Sequence, residues 1–298
     1  MGTGIAQVCA QSGYDVHLMD INAQALRNAL REMEASLKRL YAKDLLAEIP
    51  AAILERIRPE QSLECAAQVE GVIESVLEIE DLKKEIFREL GRLAPRDIFL
   101  ATNTSSIPVT RLANETRFPE RVLGLHFFGP VPLMGLVEVI KGEKTAESIF
   151  AKGVDFVKSI GKTPVRVRRD IPCFVMNRIF SAAFREAVDL VAQGVVTPEE
   201  VDAGMKLGYG WTAGPFEIAD NAGLDTVALI GRSMKQLGED DLCPRSDLID
   251  RMVREGRTGR KAGRGFYRYT AEGKRIPADQ PGQPEIRNPN IEIRDKSE

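Results

Sequence analysis

Only two histidines occur in the 298 residues, His17 and His126. His126 is followed by Phe127-Phe128-Gly129-Pro130 and closes a run, 121–128, that reads as a strand. Glu138 stands twelve positions further on, inside the next strand-like run, 136–140. On adjacent strands the two side chains can meet. A carboxylate bonded to one ring nitrogen fixes the tautomer and raises the basicity of the other nitrogen, which can then take a proton from a substrate hydroxyl. A core histidine tied to a structural glutamate has the same pattern. His17, flanked by Val16 and Leu18, reads as a bystander on the opposite sheet face.

Three other places have residue types suited to a ligand. Gly2-Thr3-Gly4 opens a helix over 5–12, and the strand 14–20 that follows ends at Asp20. A Gly-rich turn at a helix N-terminus cradles a pyrophosphate on backbone N–H groups, and an acid closing the next strand bonds a ribose. An Asp there favours NAD over NADP, because it repels a 2′-phosphate. A glycine pair that merely lets a helix pack closely would look the same. Asn103-Thr104-Ser105-Ser106 follows the strand 98–102, at the strand end where open parallel sheets bind ligands. Ser105 either bonds a ligand's polar atoms or caps a turn before Pro108. Asn177 begins the helix 177–193, where its amide either reaches a carbonyl or caps the helix.

These residues must be positioned by a larger frame. Leu26, Leu30, Met33, Leu37 and Leu40 recur at steps of three and four and predict an amphipathic helix from 22 to 46. A second helix is predicted over 51–58, a strand over 69–77, a helix over 80–93, a helix over 145–160 and a strand over 164–167. Strands alternating with helices to residue 168 predict an α/β unit with a doubly wound, mostly parallel sheet. Beyond it the strand signal fades. Thr197-Pro198-Glu199-Glu200 reads as a helix start, and helices follow over 216–222, 224–237 and 246–255. The expected division is 1–168, then an all-α unit 169–270, then a polar, disordered tail 271–298 with four prolines.

Composition narrows the function. Lys and Arg number 41 against 44 Asp and Glu, a net charge of −3, so no basic field exists to hold nucleic acid. No apolar run approaches membrane-spanning length, and the opening residues do not read as a signal peptide. Cys9, Cys65, Cys173 and Cys243 have no paired spacing, which argues for reduced thiols in the cytoplasm and against a metal site.

The stretch from His126 to Ile140, His-Phe-Phe-Gly-Pro-Val-Pro-Leu-Met-Gly-Leu-Val-Glu-Val-Ile, resembles the most specific signature of the 3-hydroxyacyl-CoA dehydrogenase family. The resemblance runs over 2–269 and includes 103–106, Asn177-Arg178, Gly214-Pro215-Phe216-Glu217 and Gly263-Arg264-Gly265-Phe266-Tyr267. It implies a Rossmann-like NAD domain, a helical domain forming a homodimer, and oxidation of an (S)-3-hydroxyacyl-CoA or the reverse reduction. It implies His126 as base oriented by Glu138, with Ser105 and Asn177 near the reacting oxygen. Gly2, Gly4, Asp20, Glu78, Lys83 and Ser105 match cofactor positions. Ser36 and Lys43 match CoA contacts, and their spacing of seven, two helical turns, puts both on one face of the helix 22–46. Three departures stand out: Gly129 replaces a usual Asn, Gly135 a usual Lys, and the family's first strand and first loop glycines have no counterpart before Gly2. That last departure keeps open a non-catalytic acyl-CoA-binding or assembly homologue. A dehydrogenase of a free hydroxy acid is the other alternative.

Overall fold

A computed structural model describes residues 1–277. They divide into two compact units, the first Met1–Val175 and the second from Met176 onward.

The first unit alternates helix and strand. Its elements are α1 (Gly2–Gln11), β1 (Val16–Met19), α2 (Ala23–Tyr41), α3 (Pro50–Leu54), β2 (Ile57–Glu60), β3 (Gly71–Glu74), α4 (Glu80–Leu93), β4 (Phe99–Thr102), α5 (Val109–Ala113), β5 (Val122–Phe127), β6 (Leu136–Lys141), α6 (Glu147–Ser159) and β7 (Thr163–Val167). Five strands form one sheet in the order β3-β4-β5-β6-β7, parallel except between β5 and β6. β1 and β2 pair in parallel as a separate two-stranded sheet. Side chains alternate across the larger sheet. Phe99, Ala101, Leu123, Leu125, Val137 and Val139 pack with α1 and α6 on one side, while Leu100, Val122 and Ile140 pack with α4 and α5 on the other. β4 is buried along its whole length, which explains why it reads as a continuous apolar run. A fully buried leucine such as Leu100 contributes about 1.5–3 kcal/mol by leaving water.

Four expectations need correction. α1 starts at Gly2 itself, so Gly2 and Gly4 lie in its first turn rather than in a loop ahead of it. α2 stops at Tyr41 rather than 46: Asp44 takes a φ of 55°, and the Leu45 amide returns to the Leu40 carbonyl, closing the helix. The helix predicted over 51–58 is the short α3 followed by the strand β2. Pro59 hid that strand, but it is tolerated because β2 has only one hydrogen-bonded neighbour. The unit boundary falls at 175 rather than 168, because the connecting segment packs back on the sheet. Asp170 accepts from the Thr110 amide and hydroxyl at 2.7 and 2.6 Å, and Phe174 is fully buried with α4 and α5.

The second unit holds α7 (Met176–Ala192), α8 (Pro198–Tyr209), α9 (Pro215–Ala222), α10 (Leu224–Gln236) and α11 (Leu248–Arg254) around Phe184, Val188, Phe216, Leu224, Met252 and Phe266. Thr197 caps α8 as its sequence predicts, exchanging bonds with Glu200. The segment after α11 is fastened by two buried acids. Asp202 accepts from the Phe216 and Glu217 amides and the Tyr267 hydroxyl. Asp220 accepts from the Phe266 and Tyr267 amides and the Tyr269 hydroxyl. Gly265 is required here, since a Cβ would collide with the Asp220 carboxylate. Residues 271–277, expected as part of the tail, are ordered: Thr270 and Lys274 close a turn, and Arg275 stacks 3.5 Å over the Tyr267 ring. Residues 278–298 lie outside the described residues.

Candidate active site

The antiparallel register of β5 and β6 sets His126 directly opposite Glu138, and directly opposed residues share a sheet face. Their side chains meet with Nδ1 2.8 Å from Oε2. An ionised carboxylate has only lone pairs to offer, so Nδ1 donates and Nε2 carries the ring's free lone pair. Glu138 is fully buried, and its other oxygen accepts from the Val175 amide at 2.9 Å. His126 as a whole is 6% exposed, its imidazole walled by Phe128 at 4.6 Å and Phe174 at 5.7 Å between ring centroids. Burial of this kind excludes water and strengthens the pair's attraction.

The neighbouring strand ends part at this edge. The β4–β5 ladder stops at Thr102 opposite Gly124. Beyond it the Asn103 side chain takes over, accepting from the Phe127 amide at 2.8 Å and donating to Ser75 Oγ at 3.2 Å. The N-terminus of α1 arrives at the same edge. A Cβ on Gly2 would lie 3.8 Å from Ser75, and one on Gly129 would lie 3.5 Å from the Met1 sulfur. The carboxyl ends of β3, β4 and β5 thus gather His126, Asn103, Ser105 and the first amides of α1.

Ser105 sits in a turn tied to Glu78. Glu78 Oε1 accepts from the Thr104 hydroxyl at 2.5 Å, the Ser105 amide at 2.9 Å and the Ser106 amide at 3.2 Å. Burial pushes the Glu78 carboxyl up, but the Thr104 hydroxyl, the Lys83 charge and the serine donors outweigh it and hold the group below the ordinary range. Lys83 is fully buried, with Nζ 2.7 Å from Glu74 and 3.4 Å from Glu78. Glu74, Thr102 and Val175 escaped the sequence reading, whereas Thr104, a hydroxyl expected to face a ligand, braces the turn through Glu78. An acid four residues before Glu78, inside an otherwise apolar strand, was the one signal for Glu74.

The remaining predicted residues lie in several places. Asp20 follows β1, with its carboxylate accepting from the Asn22 amide. Ser36 is half-buried on α2, whereas Lys43 is exposed beyond that helix, so their shared helical face is lost. Asn177 is half-buried in the first turn of α7, in the second unit. His17 pairs with Glu60 at 3.0 Å on the smaller sheet. Gly4 has a packing duty as well: a Cβ there would lie 2.9 Å from Val131 Cβ. Gly129 and Gly135 both have room for a side chain. Among the described residues no cluster of His, Cys, Asp or Glu could hold a metal ion, and no helix is long and apolar enough to cross a membrane.

The donor set suits a dinucleotide. The Gly2 and Thr3 amides precede any intrahelical acceptor, those of Gly4 and Ile5 donating to the Met1 carbonyl; no acidic residue lies in the first turn, and Asp20 follows the next strand. A doubly wound α/β unit with such a helix start and a buried histidine–carboxylate pair at the strand ends defines a nucleotide-dependent oxidoreductase class. Known proteins make it specific. Residues 1–171 match the model of the 3-hydroxyacyl-CoA dehydrogenase NAD-binding domain, and 174–269 match that of the same enzymes' C-terminal domain. A probable 3-hydroxybutyryl-CoA dehydrogenase of Deinococcus radiodurans is 41% identical, over 90% of this chain and 96% of its own. The mitochondrial hydroxyacyl-coenzyme A dehydrogenase of Mus musculus is 40% identical, over 90% and 88%. The crystal structure of (S)-3-hydroxybutyryl-CoA dehydrogenase from Ralstonia eutropha superposes with a TM-score of 0.85 at 38% identity, covering 91% of this chain and 95% of that one. The chain belongs to the 3-hydroxyacyl-CoA dehydrogenase family: it is an NAD-dependent oxidoreductase.

Proposed function

We propose that the chain oxidises the 3-hydroxyl of an (S)-3-hydroxyacyl-CoA to the ketone, or runs the reverse reduction, with His126 as general base. The carrying observation is the buried 2.8 Å bond between His126 and Glu138. NAD, when bound, supplies the hydride acceptor. His126 Nε2 takes the hydroxyl proton, and Glu138 stays ionised and stabilises the imidazolium formed. The Val175 amide keeps Glu138 from rotating away. Ser105 and Asn177 contact the substrate oxygen. Gly2 and Gly4 border the pyrophosphate, which the Gly2 and Thr3 amides hold, and Asp20 holds the ribose, while Glu78, backed by Lys83, faces the nicotinamide side. Ser36 and Lys43 bind CoA, Lys43 as a point charge for phosphate.

The names of the relatives support a short-chain CoA thioester. Exposed Ile179, Val195, Leu207, Tyr209 and Leu229 support a homodimer through the helical unit. The wide spacing of the four cysteines in the sequence supports a cytoplasmic location, and no membrane or nucleic-acid partner is proposed. The test compares NAD reduction with (S)-3-hydroxybutyryl-CoA and with free (S)-3-hydroxybutyrate. The thioester is expected to be turned over at least about tenfold faster, reflecting lost binding energy in the truncated substrate. Equal turnover of the free acid would contradict the CoA assignment.

A further inference from the structure

The turn 103–106 is held largely by side chains. The Thr104 amide donates to Thr102 Oγ1, the Ile107 amide to Thr104 Oγ1, and the Ser105 and Ser106 amides to Glu78 Oε1. Glu78 can serve the turn only while its other oxygen is not drawn off, and the group able to draw it off is the fully buried Lys83 ammonium, 3.4 Å away. Lys83 gives its short bond, 2.7 Å, to Glu74 Oε1 instead. Glu74 is almost wholly buried, and its other oxygen accepts from Thr102 Oγ1 at 2.7 Å, so its carboxylate cannot swing away. A buried ammonium stripped of its counter-ion turns to the next available one. Here that is Glu78, whose Oε2 already lies 3.4 Å away, and drawing that carboxylate closer lengthens the bonds its Oε1 accepts from the Ser105 and Ser106 amides.

We propose that Glu74 is a positioning residue for the reaction: by neutralising Lys83 and holding Thr102, it leaves Glu78 to fasten the turn that presents Ser105. The catalytic half of this rests on the reading of Ser105 given above.

The test measures amide hydrogen exchange at Ser105 and Ser106 in the ligand-free full chain, alongside kcat and KM. Glu74→Gln is expected to speed exchange at both amides about tenfold or more and to lower kcat about tenfold, with KM for the acyl-CoA changed less than about twofold. In the double variant Glu74→Gln, Lys83→Met no ammonium remains to draw Glu78, so protection returns to within about threefold of wild type. If Glu74→Gln does not fold, Thr102→Val removes two bonds, the one to Glu74 and the one from the Thr104 amide, without removing charge, and is expected to speed exchange at least about threefold. Wild-type exchange in Glu74→Gln or, failing it, Thr102→Val overturns the proposal, as does a double variant no better protected than Glu74→Gln. A wild-type chain without dehydrogenase activity would refute the reading of Ser105, while the exchange measurement would still decide the role of Glu74.

Discussion

Glu138 in the first unit and Asp220 in the second are both completely buried carboxylates, and each is bonded on both oxygens. They differ in what they hold. Asp220 holds two amides and a phenol, partners that do not exchange protons near neutrality, so its bonds only fix chain segments. Glu138 holds an amide on one side and an imidazole on the other. The imidazole has a second nitrogen, so the same kind of bond there fixes which ring nitrogen keeps its lone pair, which is what the proposed base role of His126 requires. Burial alone separates neither role; the partner's chemistry does.

Perturbing each acid should therefore damage different properties. The largest effect is expected from Glu138→Gln. Its amide can donate to Nδ1 and favour the wrong tautomer, so kcat should fall about 10²-fold or more, measured at saturating NAD and substrate. Asp220→Ala should instead leave kcat per folded molecule near wild type. It strands two buried amides and a half-buried phenol and should cost on the order of 3 kcal/mol, read from denaturant unfolding. Gly4→Ala drives a methyl group against Val131 and should cost about 1–2 kcal/mol in the same measurement.

The smallest effect is an opposition in acid. Burial pushes the Asp220 carboxyl up, more than its amide and phenol donors pull it down. A group raised on folding binds its proton more tightly in the folded chain, so its contribution grows as pH falls through the raised value towards the ordinary Asp value near 3.9. The stability gap between wild type and Asp220→Asn should widen over that window. Glu78 is lowered on folding, so its contribution is complete above the ordinary Glu value and disappears as pH falls through the lowered one. The gap between wild type and Glu78→Gln should shrink. Thermal melts of the three proteins between neutral and acid pH check both signs.

Much of this was legible in the sequence because it rests on local pattern. The alternation to residue 167, the Thr197 cap and the cross-strand pairing of His126 with Glu138 follow from periodicity and spacing. What escaped depends on tertiary contact. β2 looked like a helix end because Pro59 and Arg58 carry no strand signal, and only pairing with β1 makes it one. The end of α2 depends on one left-handed residue, Asp44, and with it went the shared face of Ser36 and Lys43. Glu74 was hidden because a lone acid in an apolar strand gains meaning only from Lys83, nine residues on in a helix. The motifs at 214–217 and 263–267 were visible as resemblance, but their reason, two buried aspartates gripping backbone amides, required the fold.

The central claim is that His126, in the grip of Glu138, moves the substrate proton. It is tested most directly by kcat for (S)-3-hydroxybutyryl-CoA in His126→Ala, with NAD affinity measured on the same preparation. Turnover should fall about 10²–10⁴-fold while NAD affinity stays within about twofold. Near-normal turnover in His126→Ala would contradict the account.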